Sequence, residues 1–166
     1  MSGGSGKRSV GLALVRHRPD GGVEVLVGHM GGPYFERKHE GGWTFPKGLV
    51  DGDEAELATA EREFAEEMGS PPPAGESVDL GEVKRSGKAI RLFARLGDFD
   101  ADAAVSNTFE LEWPPRSGRM QTFPEIDRAA WVDLDDVEQL LAKNQVAFVE
   151  RIRDRWPPGD DAKMEP

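Results

Sequence analysis

The chain of 166 residues contains no cysteine, which excludes disulfides, thiolate nucleophiles and thiolate metal sites and agrees with a cytoplasmic, reducing compartment. It also lacks any run of 18 apolar residues, so the sequence offers no membrane-spanning helix. The opening Met1-Ser2-Gly3-Gly4-Ser5-Gly6-Lys7-Arg8 has no apolar core of the kind a secretory signal needs. Basic residues are in deficit, 21 Lys and Arg against 31 Asp and Glu, a net charge of −10 that argues against binding duplex nucleic acid. The three histidines, His17, His29 and His39, are isolated, show no metal-ligand spacing and read as surface or turn residues. At 37% hydrophobic and 31% charged, the chain has an ordinary globular composition and enough length for a single core.

The acidity is local. Residues 48–69, GLVDGDEAELATAEREFAEEMG, carry a net of −7 out of the chain's −10. From Glu54 to Met68 they are mostly strong helix formers, and Gly69 with Pro71-Pro72-Pro73 ends the helix. Asp53 stands at an N-cap position with Glu56 three residues on, the spacing of a capping box. Leu57, Ala60, Phe64 and Met68 share one face and are expected in a core. Glu63, Glu66 and Glu67, at i, i+3 and i+4, border that stripe. Like charges so placed cost a helix roughly 0.2–0.5 kcal/mol per pair. A cluster of oxygen ligands on a rigid helix suits a hard divalent cation, Mg²⁺ or Mn²⁺, which would offset that cost.

The spacing carries more than the charge. Gly48, five residues, Glu54, seven residues, then Arg62-Glu63-Phe64-Ala65-Glu66-Glu67-Met68-Gly69 resembles the Nudix box, departing from it only at Ser70, where an apolar residue is usual. Trp43-Thr44-Phe45-Pro46-Lys47 is similar to the run that leads into that box. The resemblance implies a Nudix-type α/β/α sandwich with a mixed β-sheet and a catalytic loop-helix. It also implies Mg²⁺- or Mn²⁺-dependent hydrolysis of a nucleoside diphosphate linked to another moiety. On that basis Glu63, Glu66 and Glu67 are the catalytic and metal-binding carboxylates and the Gly48 carbonyl is a further ligand. Either Glu66 or Glu67 serves as general base, and the spacing does not choose between them. Arg62 and Glu54 read as structural support, with a ligand role for Glu54 as the alternative. Lys47 is placed for a substrate phosphate, against a solvated surface lysine.

The rest of the chain alternates strand and turn signals. Residues 1–7 read as a flexible leader, 8–156 as one domain and 157–166 as a disordered tail. Ser9–Arg16 and Val23–Gly28 are expected to form a hairpin across Gly21-Gly22, and Val78–Arg85 and Ala89–Leu96 another across Ser86-Gly87. Trp43–Phe45, Phe109–Trp113 and Arg128–Asp133 read as short strands. Helices are expected from Leu134 through Leu141 and over Val146–Trp156. Within Glu110–Glu125, past the strand that Trp113-Pro114-Pro115 ends, Arg116 and Arg119 stand in a loop rich in Pro, Ser and Gly and are candidate polyphosphate clamps, against an exposed irregular turn. Glu125 and Glu112 are competing candidates for an additional base or ligand.

Substrate signals are weaker. A proline at position 85 would point to ADP-ribose and a tyrosine at position 87 to dinucleoside polyphosphates, and those positions hold Arg85 and Gly87. Basic loops at 36–38, 47 and 116–119 favour a phosphate-rich small molecule, a nucleoside triphosphate or dinucleoside polyphosphate, with capped RNA and inositol pyrophosphates as alternatives. A Nudix module that binds nucleotide without cleaving it is the main rival from another class. An acidic interaction helix is a second rival. A homodimer would be in keeping with the family, but no residue pattern marks an interface.

Overall fold

A computed structural model describes residues 8–159; the expected leader and residues 160–166 of the expected tail lie outside them. The central strand is β1 (Arg8–His17). Val10, Leu12 and Leu14 enter one core and Ala13 and Val15 the other, as a two-residue period requires. Burial on both faces is why this run is apolar throughout rather than alternating. β2 (Val23–Met30) returns antiparallel to it. β5 (Val78–Arg85) and β6 (Lys88–Leu96) form the second expected hairpin, and β6 lies parallel to β1, so the sheet is mixed.

The register around β1 and β2 shows how the site is placed. β1 and β2 are paired only at the end where Val15 faces Val25. Farther along they diverge, and β3 (Trp43–Thr44) and β4 (Lys47–Leu49) fill the wedge between them. β3 pairs with Gly28 and His29 of β2, while β4 pairs with Ser9, Val10 and Gly11 of β1. The bend between them, Phe45-Pro46, is tied to β1 by Leu12 N–H donating to the Pro46 carbonyl at 3.1 Å. Lys47 and Gly48 are therefore fixed from two strands at once. The opposite edge of β2 carries β9 (Ile126–Asp133), with a bulge that leaves Asp127 outside the pairing between His29 and Met30.

Helices cover both faces, the expected α/β/α arrangement. On one face α1 (Glu56–Met68) packs Ala60, Phe64 and Met68 against Val10, Leu12, Leu14 and Leu26. On the other, α2 (Leu134–Leu140) and α3 (Ala147–Arg155) contribute Leu134, Val137, Phe148, Val149 and Ile152 to a larger core with Val25, Val27 and Phe45. Leu57 is only half-buried. The expected Asp53–Glu56 capping box does not form: α1 starts at Glu56 with Ala55 at its N-cap and no side-chain cap. Its carboxylate neighbour Glu54 is instead engaged by Thr59 Oγ1 and by Arg62, which holds residues 53–55 out of the helix. The C-terminal end is as expected, with Gly69 at φ +91° and its N–H donating to the Ala65 carbonyl. Among the described residues no helix is long and apolar enough to cross a membrane.

The expected strand over Phe109–Trp113 forms, and the residues after its turn, expected as loop, form a second strand. β7 (Thr108–Glu112) and β8 (Met120–Pro124) form a separate two-stranded sheet with its turn at 113–119. Its half-buried face carries Phe109 and Phe123, whose rings stand 6.0 Å apart, and Trp113 meets Tyr34 edge-on at 5.1 Å. Pro, Ser and Gly belong to the turn, and the strand Met120–Pro124 is too short for its alternation to register against them.

Candidate active site

Gly48 and the acidic flank of α1 face each other across a cavity of about 410 Å³ lined by Met30, Lys47, Gly48, Leu49, Glu63, Glu66, Glu67, Asn107, Glu125 and Ile126. The absence of a side chain at Gly48 lets the Glu63 carboxylate lie against the backbone, where a Cβ would overlap it unless that carboxylate moved. The backbone N–H of Lys47 points to Glu67 Oε1 at 3.4 Å. Glu125 is delivered from the base of the β7–β8 hairpin: its N–H donates to the Asn107 carbonyl and its own carbonyl accepts from Gly31 N–H, both at 2.9 Å. Asn107 N–H in turn donates to the Glu66 carbonyl at 2.8 Å, stapling the hairpin base to the end of α1.

Arg62 organises the acids. Its Nε and one terminal nitrogen donate to the two oxygens of Glu54 at 2.9 and 3.0 Å, a forked pair. The other terminal nitrogen donates to Glu63 and Glu66, each at 3.0 Å, and a further bond reaches the Leu49 carbonyl at 3.2 Å. The electrostatics follow from this division. Arg62, helped by Thr59, holds the Glu54 carboxyl down to about 2. Glu67 is pushed the other way, up to about 8, first by burial and then by the charge of Glu63, with Lys47 opposing. Glu63 is raised too, by burial and then by Glu66, with Arg62 opposing. Glu125 adds to the shift of both.

The site therefore crowds carboxylates, two of them with their charged forms disfavoured, around the bare backbone of Gly48. An all-oxygen donor set short of positive charge fits a hard divalent cation, which Glu63, Glu66, Glu67 and the Gly48 carbonyl would hold. Among the described residues no three acidic or histidine side chains converge on one point at ligating distance. Glu63 and Glu66 lean on Arg62 instead, so gripping an ion requires them to turn from it.

A family model described as NUDIX domain matches residues 7–152, nearly the whole chain. The chain belongs to the Nudix family. It is a Nudix hydrolase, acting on phosphoric anhydride bonds. No curated protein matches the sequence. Among solved structures, the NUDIX domain of Shewanella oneidensis NrtR complexed with ADP ribose is similar at 20% identity and TM-score 0.60, over 92% of this chain and 90% of that one. A C. elegans Ap4A hydrolase binary complex is similar at 20% identity and TM-score 0.55, over 90% and 96%. A Nudix hydrolase from M. smegmatis, RenU, aligns at 22% identity and TM-score 0.54, over 99% and 91%. At these identities the likeness is one of fold.

The Nudix fold brings together Lys47, Gly48, Glu63, Glu66, Glu67 and Glu125, with Arg62 and Glu54 behind them. Glu112 and Arg116 lie elsewhere. Glu112 ends β7 four residues beyond the base pair at Thr108, roughly 13 Å at the usual strand rise, and its carboxylate accepts from Gly118 N–H at 2.7 Å. Arg116 and Arg119 are exposed in the same turn, outside the cavity that Gly48 and α1 line. His29 departs from expectation: it is 1% exposed, with Nδ1 2.9 Å from Asp127 and Nε2 2.7 Å from the Lys38 carbonyl. His17 and His39 are exposed, as expected.

Two supporting residues had no local signal. Asn107 reaches the site only through the fold. Gln145, buried in the 3-10 turn Lys143–Gln145 after α2, accepts from Phe45 N–H and donates to Thr44 Oγ1, both at 2.9 Å, bracing the wedge segment from behind.

Proposed function

We propose that this Nudix hydrolase is a Mg²⁺- or Mn²⁺-dependent pyrophosphohydrolase that cleaves a nucleoside diphosphate linked to a further phosphate-bearing group, a nucleoside triphosphate or dinucleoside polyphosphate. The observation that carries the reading is the convergence of Glu63, Glu66, Glu67 and Glu125 on Lys47 and Gly48 in one cavity. When bound, the cation supplies charge neutralisation on the non-bridging oxygens of the reacting phosphate. The chain's own residues do the rest. Glu67, which faces the Lys47 N–H across the cavity, is the candidate to take a proton from the attacking water once a cation's charge favours its ionised form. Glu66, more exposed and bonded to Arg62, is suited to ligation instead. Lys47 meets the substrate phosphate as a point charge. Arg62 and Glu54 keep the acidic flank in place. Arg116 and Arg119 engage only a substrate long enough to reach the hairpin turn. The NrtR domain with ADP ribose and the Ap4A hydrolase are in keeping with a nucleotide diphosphate linkage, although Arg85 and Gly87 match neither subgroup signature.

The test is product identity by mass spectrometry in ¹⁸O-labelled water. The protein is incubated with Mg²⁺ and then Mn²⁺ against nucleoside triphosphates, dinucleoside polyphosphates, ADP-ribose, capped RNA and inositol pyrophosphates. Metal-dependent cleavage with label on one phosphorus is expected for the triphosphate or dinucleoside class. Nucleotide binding without cleavage in any arm would convert the reading to a non-catalytic module.

A further inference from the structure

A second, larger cavity of about 920 Å³ opens beside the catalytic one and shares Lys47 and Met30 with it. Its lining is distinctive in charge. Among the described residues there are five lysines, at positions 38, 47, 84, 88 and 143, and four of them line this cavity. They come from four separate parts of the chain. Lys38 is from the loop after β2, Lys47 from the wedge, Lys88 from the start of β6 and Lys143 from the 3-10 turn after α2. Among the described residues no lysine makes an ion pair, whereas eight arginines do: Arg8, Arg16, Arg18, Arg62, Arg91, Arg95, Arg128 and Arg153. In a chain with a net charge of −10, four of the five described lysines, none with a carboxylate partner, meet in one concavity, while the described arginines without ion pairs lie outside it.

Two acids, Glu40 and Glu138, also stand in its wall, so the lysines outnumber them by two. A nucleobase is poorly served there. Phe35 is the sole aromatic among the lining residues, and the Lys38 ammonium already lies 5.9 Å over its ring. Phosphate groups are well served, since a lysine ammonium meets them from any direction. Lys47 stands at the junction of the two cavities.

Resting on the hydrolase reading above, we propose that this lysine-lined cavity is a second anion subsite, which takes the phosphates of the substrate half beyond the scissile anhydride. The enzyme then selects molecules that carry phosphates on both sides of that bond, and disfavours those whose second half is a neutral sugar. The shared chemistry is a multiply phosphorylated leaving group, whether it comes from a dinucleoside polyphosphate or an inositol pyrophosphate.

Lys88 and Lys143 line only the larger cavity, so the double variant Lys88→Ala, Lys143→Ala tests the subsite without touching the catalytic residues. Calorimetric binding of inorganic tripolyphosphate to the full chain in EDTA reads the subsite without turnover. The double alanine variant is expected to bind roughly tenfold or more weakly, and the arginine pair Lys88→Arg, Lys143→Arg to retain binding. Steady-state kinetics then compares a dinucleoside tetraphosphate, an inositol pyrophosphate and ADP-ribose. For the first two KM is expected to rise about tenfold with kcat nearly unchanged, and for ADP-ribose to stay within about twofold. A rise confined to one of the two phosphate-rich substrates would identify the source. Unaltered tripolyphosphate affinity, or an equal rise in KM for ADP-ribose, would overturn the proposal. Loss of tripolyphosphate affinity in a protein that cleaves none of the three would leave the subsite standing and remove the hydrolase reading.

Discussion

Replacing Glu67 with glutamine should make the ion-free protein more stable while removing its activity, and the gain should depend on pH. The Glu67 carboxyl is raised from 4.5 to about 8 by burial and by Glu63. Below pH 4.5 the group is protonated in both folded and unfolded chains and contributes nothing. Between 4.5 and about 8 the unfolded chain ionises while the folded chain keeps its proton, so wild-type stability falls as pH rises. Above 8 the full penalty is present. At pH 7 the difference of about 2.5 pH units corresponds to about 3 kcal/mol. Glutamine has the same shape, does not titrate and keeps an oxygen for the Lys47 N–H. For a domain of this length 1 kcal/mol moves Tm by roughly 2–4 °C, so Glu67→Gln should melt about 6–12 °C above wild type at pH 7 in EDTA. The gap should close toward pH 4.5 and widen toward pH 8. Mg²⁺ should raise the wild-type Tm by mass action and move the variant much less. Differential scanning calorimetry across pH with and without EDTA reads all of this. A gap that is flat with pH, or a variant less stable than wild type at pH 7, would refute the assigned electrostatics.

Gly48→Ala places a methyl group against the Glu63 carboxylate, the far end of a flexible side chain; displacement of that carboxylate by about 1 Å should cost kcat about a hundredfold, with the melting temperature nearly unchanged. Arg62→Lys keeps a charge but loses the fork that serves Glu54, Glu63, Glu66 and the Leu49 carbonyl together, and should cost about 1–3 kcal/mol in urea unfolding; an unaltered midpoint would show that Arg62 does not brace the loop. His29→Asn shortens a buried ring whose two nitrogens both face acceptors, Asp127 and the Lys38 carbonyl, and should cost about 1–3 kcal/mol. Trypsin should then cut at Arg37 or Lys38 faster than in wild type, since His29 ties that loop to β2.

What the sequence disclosed and what it hid divide along physical lines. The acidic helix was legible because its candidate ligands, Arg62 beside them and its terminating Gly69 lie within one continuous stretch at fixed spacing. The two hairpins were legible because each combines apolar runs with a glycine-bearing turn. His29 was not: it follows Val23, Val25 and Val27 on the alternating face of VEVLVGHM, but a histidine is buried there only because Asp127 and the Lys38 carbonyl, brought from other parts of the chain, meet its two nitrogens. Asp53 misled because Glu54 is drawn off by Thr59 and Arg62, contacts a capping rule does not weigh. Lys88 and Lys143 are more than 40 residues from one another and from Lys47, and only the parallel pairing of β6 with β1 and the turn after α2 bring them to one wall.

The wedge between β1 and β2 also bears on motion. A segment bonded to two diverging strands can shift only if both release it, so the amides of residues 43–49 should exchange with solvent on the timescale of global opening. The β7–β8 hairpin has only its own two strands and a stapled base, and the loop 31–42 is held by few backbone bonds. Amides of residues 31–42 and 108–124 should therefore exchange sooner than those of the wedge, so any opening beside Gly48 would begin at those two outer segments.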